Sequence, residues 1–187
     1  MDMNGVVHTT NVLYAKPLSF QSNEDLENGF FVTKGDLIAG ETEVYTALQP
    51  ATAAFTEKAY LVANPAWSYE DRATSQNEEG YINRAGVPFR VYDLEPNNKI
   101  TITDYTVDGA VAVGNYVTIA NNSYKLNAAA SVNLADYGFV GKIERIVDMG
   151  YFYYIGSLGT DTDGSTPGVS GIDGRVEMVV ISVVKNG

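Results

Sequence analysis

The chain of 187 residues contains no cysteine and a single histidine, His8. The first absence removes disulfide frameworks, thiol nucleophiles, thiolate zinc sites and iron–sulfur ligation. The second removes every metal site built on several imidazoles. Positive charge is also scarce. Lys and Arg number 12 against 23 Asp and Glu, a formal charge of −11. Neutralising a phosphate backbone needs clustered Lys and Arg, so nucleic acid is not an expected partner. No apolar run approaches the roughly 20 residues of a membrane-spanning helix, and no membrane partner is expected. The N-terminus Met1-Asp2-Met3-Asn4-Gly5 has neither a basic region nor an apolar stretch behind it, so it does not read as a secretory leader, and a protein made in a cytoplasm is expected.

What the sequence does hold is β texture. Short runs of Val, Ile, Thr, Tyr and Phe alternate with Gly, Asn, Asp and Pro. The runs Phe30–Thr33, Glu43–Leu48, Ala59–Ala63, Phe89–Leu94, Lys99–Thr103, Tyr116–Ala120, Ser123–Asn127, Phe139–Val147, Tyr151–Ile155 and Arg175–Lys185 read as strands. Turns are expected at Lys34-Gly35-Asp36, Glu95-Pro96-Asn97-Asn98, Asn121-Asn122 and Asp148-Met149-Gly150. Val179–Val184 is apolar on both faces except for Ser182, which predicts a central strand. The fold expected is all-β, a β-sandwich or a partly open β-barrel with an extended N-terminal arm and long loops. Residues 1–22 form the expected arm or edge ribbon, with short strands at Gly5–Thr9 and Val12–Lys16. Residues 23–187 form a single β domain, with long loops near 64–88 and 156–174.

Chemistry-bearing patterns are thin. A Ser-His-Asp triad would have to use His8, and no Gly-x-Ser-x-Gly elbow accompanies it. The carboxylate pairs a glycosidase would use, Glu24-Asp25, Glu70-Asp71 and Glu78-Glu79, are adjacent residues in turn-rich text and read as solvated surface. Asp161-Thr162-Asp163-Gly164 opens like a calcium loop, yet its Gly falls at the fourth position and Ile172 stands where the bidentate Glu belongs. A solvated turn is the expectation, and an irregular calcium site on Asp161, Asp163 and Asp173 is the alternative. There is no P-loop and no dinucleotide fingerprint. No catalytic residue, metal or cofactor is expected.

Tyrosine outnumbers phenylalanine, 13 to 7. Tyr offers a large apolar face with a hydroxyl that needs water or a partner, which suits interfaces. Tyr14, Phe20, Trp67, Tyr69 and Tyr81 lie outside the clearest strands and are the candidate contact anchors.

The order of segments carries a resemblance. Asp25-Leu26-Glu27-Asn28-Gly29-Phe30-Phe31-Val32 is followed by Gly40-Glu41-Thr42-Glu43-Val44-Tyr45-Thr46-Ala47, then by Ala59-Tyr60-Leu61-Val62-Ala63-Asn64-Pro65. Asn83-Arg84-Ala85-Gly86-Val87-Pro88-Phe89-Arg90 comes next, and Val140-Gly141-Lys142-Ile143 leads to the valine-rich C-terminus. This succession, over roughly residues 24–155 and the last strand, resembles the head decoration or capsid cement proteins of tailed bacteriophages. The Gly156–Gly174 stretch looks like an insertion relative to that pattern, and the N-terminal arm departs from it. The resemblance implies a non-enzymatic virion protein on the outer capsid surface, with the major capsid protein and copies of itself as partners. Another virion component, a tail-tube or head-fibre protein, and a carbohydrate-binding β module are the competing readings.

Overall fold

The structure, a computed structural model, describes residues 5, 7–11, 15–52, 55–65, 81–149 and 176–187. Among these residues the strands are β1 (Val7–Asn11), β2 (Lys16–Gln21), β3 (Leu26–Glu27), β4 (Phe31–Leu37), β5 (Val44–Leu48), β6 (Tyr60–Val62) and β7 (Ile82–Asn83). They continue with β8 (Phe89–Asp93), β9 (Lys99–Thr103), β10 (Val107–Gly109), β11 (Tyr116–Ile119), β12 (Leu126–Ala129), β13 (Phe139–Met149) and β14 (Val176–Asn186). The 3-10 turn Asp104–Thr106 joins β9 to β10.

Two β bodies result. Strands β2-β5-β4-β6-β8 close into a barrel. Strands β1-β9-β14-β13-β11-β12-β10 form a seven-stranded sheet that curls into a half-barrel. A third, two-stranded sheet pairs β3 with β7. The all-β expectation is met, with a closed barrel as one of its two bodies.

The two bodies share a wall. Side chains alternate across a strand, so each wall strand presents one set of residues to each side. Val32, Tyr60, Val62, Phe89 and Val91 point into the barrel with Phe20, Leu26 and Ala47. Phe31 and Leu61 point the other way and join Ile100, Ile102, Val117, Phe139, Ile143, Val179 and Ile181 of the curled sheet. This is why β6 reads as the unbroken apolar run Tyr60-Leu61-Val62, every residue of which is buried. The Phe31 and Phe139 rings meet across the two bodies at 4.7 Å between centroids. Each such buried side chain contributes about 1.5–3 kcal/mol.

The N-terminal expectation needs correction. Lys16–Gln21 is not part of an arm, because β2 closes the barrel, antiparallel to β8 and parallel to β5. Its poor alternation has a local cause: Pro17 sits where β5 does not reach, since β5 pairs only with Ser19–Gln21. β1 pairs with β9 at an edge of the other sheet, through a register shift between His8 and Asn11. The boundary expected after residue 22 therefore falls just beyond a barrel strand.

Other differences are smaller. Lys34-Gly35-Asp36 lies inside β4, where a register shift against β5 absorbs the irregularity instead of a turn. The β11–β12 hairpin exists, but Ile119 pairs with Leu126, so residues 120–125 make a longer connection than Asn121-Asn122 alone. Asn122 does take the left-handed conformation, φ 51°. So does Asn97, φ 71°, in the turn where Asn98 N–H donates to Glu95 O at 3.0 Å. β13 pairs with β14 along its full length, and β14 lies between β9 and β13, the central position expected of it. The expected strand Tyr151–Ile155 and the loop 156–174 lie outside the described residues.

Asn186, at the end of β14, is buried. Asn186 Oδ1 accepts Ala59 N–H at 3.0 Å, and its Nδ2 donates to Ala59 O at 3.1 Å and Leu94 O at 2.9 Å. Gly187 N–H donates to Gly138 O at 2.9 Å. Gly138 is required there, since a Cβ would overlap Glu57 O.

Candidate interaction surface

Of the five aromatic anchors expected, Tyr14, Trp67 and Tyr69 lie outside the described residues, as do Asp161, Asp163 and Asp173. Phe20 is a correction. It is fully buried inside the barrel, its ring 5.1 Å from that of Tyr60 and 6.1 Å from that of Tyr45. On β2 the exposed residues are Lys16, Pro17 and Ser19, so the alternation sends Phe20 inward as core and leaves it no surface to offer a partner. Tyr81 is half-buried, and its hydroxyl accepts a hydrogen bond from Asn64 Nδ2 at 2.6 Å.

That bond belongs to a polar network at one end of the barrel. Asn28 follows β3, Asn64 follows β6, and Asn83 lies in β7. Asn28 and Asn64 bond reciprocally: Asn28 Nδ2 donates to Asn64 O and Asn64 N–H donates to Asn28 Oδ1, both at 2.9 Å. Asn83 Nδ2 donates to Leu26 O at 3.1 Å and to Asn28 Oδ1 at 3.2 Å. Asn83 Oδ1 is buried without a protein partner. Asn64 Oδ1 accepts Arg90 N–H at 3.3 Å. A short amide side chain both donates and accepts, so it can satisfy backbone groups where strands end. The network joins Asn64 to Tyr81, both within the long loop expected near residues 64–88.

The rim of this base is partly apolar. Ile82 is 41% and Val87 53% exposed, with Arg84, Pro88 and Arg90 beside them in the chain. Backbone bonds pin the rim: Gly86 N–H donates to Ser22 O, and Ala85 N–H to Asp25 Oδ1, each at 2.8 Å. Tyr124 stacks on Phe30 at 5.9 Å and its hydroxyl donates to Glu24 Oε1 at 2.5 Å. Burial, reinforced by that bond to Glu24, raises the Tyr124 hydroxyl well above the usual phenol range. Beneath the rim, Gly5 N–H donates to Glu27 Oε2 at 2.7 Å. Burial pushes the Glu27 carboxyl above its ordinary range, opposed by the Gly5 bond and by the charge of Lys125. Gly5 has no room for a side chain, as a Cβ would overlap Asn28 O.

Most lysines are held by the chain itself. Lys34 lies over the Tyr45 ring at 3.6 Å and Lys125 over the Tyr105 ring at 3.8 Å, with Asp108 3.7 Å from the latter lysine. Lys58 pairs with Asp93 at 3.1 Å and Lys99 with Glu144 at 2.6 Å. Lys185 donates to Tyr137 O at 2.8 Å and Leu134 O at 3.1 Å. The formal charge of −11 leaves an excess of carboxylates to set the outer field. A shallow cleft of about 450 Å³ on the β4–β5 hairpin shows the same balance, lined by Lys34, Asp36, Gln49 and Glu57 with exposed Leu48 at its edge. Among the described residues no three His, Cys, Asp or Glu side chains stand close enough to hold a metal ion.

No family model matches the chain, and comparison with curated proteins and with solved structures likewise finds no match.

The three asparagines were missed by sequence reasoning. Asn28 stands before Gly29 and Asn64 before Pro65, residues that end strand patterns, and each of the three falls in a different one of the segments that carry the resemblance. That coincidence was the available signal.

Proposed function

We propose that this protein is a non-enzymatic virion component that decorates the outer surface of a bacteriophage capsid, binding the major capsid protein lattice and neighbouring copies of itself. The observation that carries the reading is the ordered run of segments from Asp25 to Arg90, continued at Val140–Ile143. Two physical facts support it. A charge of −11 would be repelled by packaged DNA and is compatible with the outer face of the shell. The base formed by Asn28, Asn64, Tyr81 and Asn83 gives the 65–80 stretch a fixed root, as a contact loop requires.

A decorator stabilises by binding the assembled lattice and not the free subunits. The linkage gives about 2.7 kcal/mol per site when free protein stands at one hundred times its Kd, and copies that bridge neighbouring capsomers add avidity. The test is titration of the purified protein onto undecorated capsids of the phage that encodes it, reading occupancy and heat resistance together. Saturable binding with a matching rise in capsid melting temperature is expected. Binding to tail tubes, or no binding to expanded capsids, overturns the proposal.

A further inference from the structure

Lys58, Asp93 and Asn186 come together from three distant parts of the chain, ahead of β6, at the end of β8 and at the end of β14. Lys58 Nζ lies 3.1 Å from both carboxylate oxygens of Asp93. Asn186 Nδ2 lies 3.4 Å from the same Asp93 Oδ1, so one carboxylate oxygen faces an amine on one side and a carboxamide on the other. The Lys58 stem runs along the last residue, and a Cβ on Gly187 would meet its Cε at 2.9 Å. Asn186 is 8% exposed and fixed by Ala59 and Leu94, whereas the Lys58 side chain is 39% exposed.

The arrangement contains each part of an amide exchange. Lys58 is the nucleophile, the Asn186 Cγ carbonyl the electrophile, and Asp93 the acid–base group between them. Ala59 N–H, 3.0 Å from Asn186 Oδ1, is placed to stabilise an oxyanion there. We propose that Lys58 and Asn186 form an intramolecular isopeptide bond in the folded protein, with Asp93 as proton carrier. At rest the hydrogen bond to Asp93 holds the Lys58 amine in its charged form. The reaction therefore starts with transfer of one Nζ proton to Asp93. Neutral Nζ attacks Cγ and the Nζ–Cγ bond forms, with negative charge on Oδ1. Asp93 gives its proton to Nδ2, the Cγ–Nδ2 bond breaks and ammonia leaves. The ammonia takes the surplus Nζ proton and departs as ammonium. No oxidant or reductant takes part, and the exchange occurs once per chain. The product keeps the bond from Ala59 N–H and retains one amide N–H for a backbone carbonyl. It would staple the start of a barrel strand to the last strand of the curled sheet, a covalent lock suited to a particle that must survive outside a cell.

The experiment is intact-mass spectrometry of the folded full-length protein, followed after purification and again after prolonged incubation at mildly alkaline pH, together with proteolytic mapping. The expected result is a mass lower than the sequence by one ammonia and a branched peptide joining the fragments that carry Lys58 and Asn186. Lys58→Arg and Asp93→Asn should each restore the full mass, with circular dichroism confirming the β fold. The mass and peptide map of the wild type decide the matter even if a variant fails to fold. A full mass after incubation, with the Lys58 amine still open to acetylation, overturns the proposal. So does an ammonia loss confined to the Asn186-Gly187 fragment, which is the signature of a succinimide. The folded chain disfavours that route, because Gly187 N–H is engaged with Gly138 O.

Discussion

Replacing Asn28 with Ala tests the asparagine network at the end of the barrel. Asn28 is 4% exposed and makes three bonds: to Asn64 O, from Asn64 N–H and from Asn83 Nδ2. Truncation leaves Asn64 with an unpaired N–H and C=O and deprives Asn83 Nδ2 of one of two acceptors, since Leu26 O remains. A buried group left unsatisfied costs about 1–3 kcal/mol. Asn64 is only half-buried, so water recovers part of that. The expected loss is about 2–4 kcal/mol, read as a shift in urea midpoint at unchanged slope. The loss should be coupled to its neighbour, with an interaction energy of about 0.5–3 kcal/mol in a cycle with Asn83→Ala. Proteolytic cleavage within residues 65–80 should also accelerate, since Asn64 and Tyr81 no longer share a fixed base. A loss below about 0.5 kcal/mol, the level of an ordinary surface change, with unchanged cleavage would refute the claim that this network fixes Asn64 and Tyr81.

Phe20→Ala should lower stability by about 3–5 kcal/mol, the usual cost of emptying a buried aromatic site; a stable variant with weakened partner binding would return Phe20 to the surface. Leu61→Ala and Val62→Ala remove neighbours that face opposite sides of the shared wall, and each should move one common thermal transition seen by calorimetry and circular dichroism alike. Two separable transitions would show that barrel and curled sheet unfold independently. For Glu27 the folded carboxyl has a raised pKa, so the native state holds its proton more tightly than the unfolded chain does. Stability from this group is present at low pH and lost as pH rises through the ordinary carboxylate range up to the raised value. Glu27→Gln, which keeps an acceptor for Gly5 N–H, should flatten that fall; an identical pH profile in the two proteins contradicts the assignment.

Local patterns were legible where one strand meets one turn. Ile100 and Ile102 alternate with threonines in β9 and are buried, and Asn97 and Asn122 mark turns with positive φ. The apolar run in β14 announced a central strand. What the sequence hid was partnership. β2 and β1 are neighbours in the chain yet enter different sheets, and no local signal says so, because pairing is set by contacts many residues away. Lys34-Gly35-Asp36 has turn composition but sits in a bulged strand, where Gly35 lets the Leu48 side chain approach. Phe20 was misplaced because Pro17 and Ser19 disguise the alternation of β2. The asparagine network was invisible for a further reason: its members are polar residues at strand ends, ordinary in isolation, and only the closed barrel brings them together.

The shared wall explains how the strands of barrel and curled sheet make one unit. The barrel strands, all within β2 to β8, are flanked in the chain by β1 and by β9–β14 of the curled sheet. Neither body can leave without exposing apolar surface on the other, since Phe31 and Leu61 belong to barrel strands but complete the core of the curled sheet. The chain's last residues close the same circuit, Asn186 satisfying Ala59 and Leu94 beside the strands that form the wall. Cohesion of this kind comes from long-range packing.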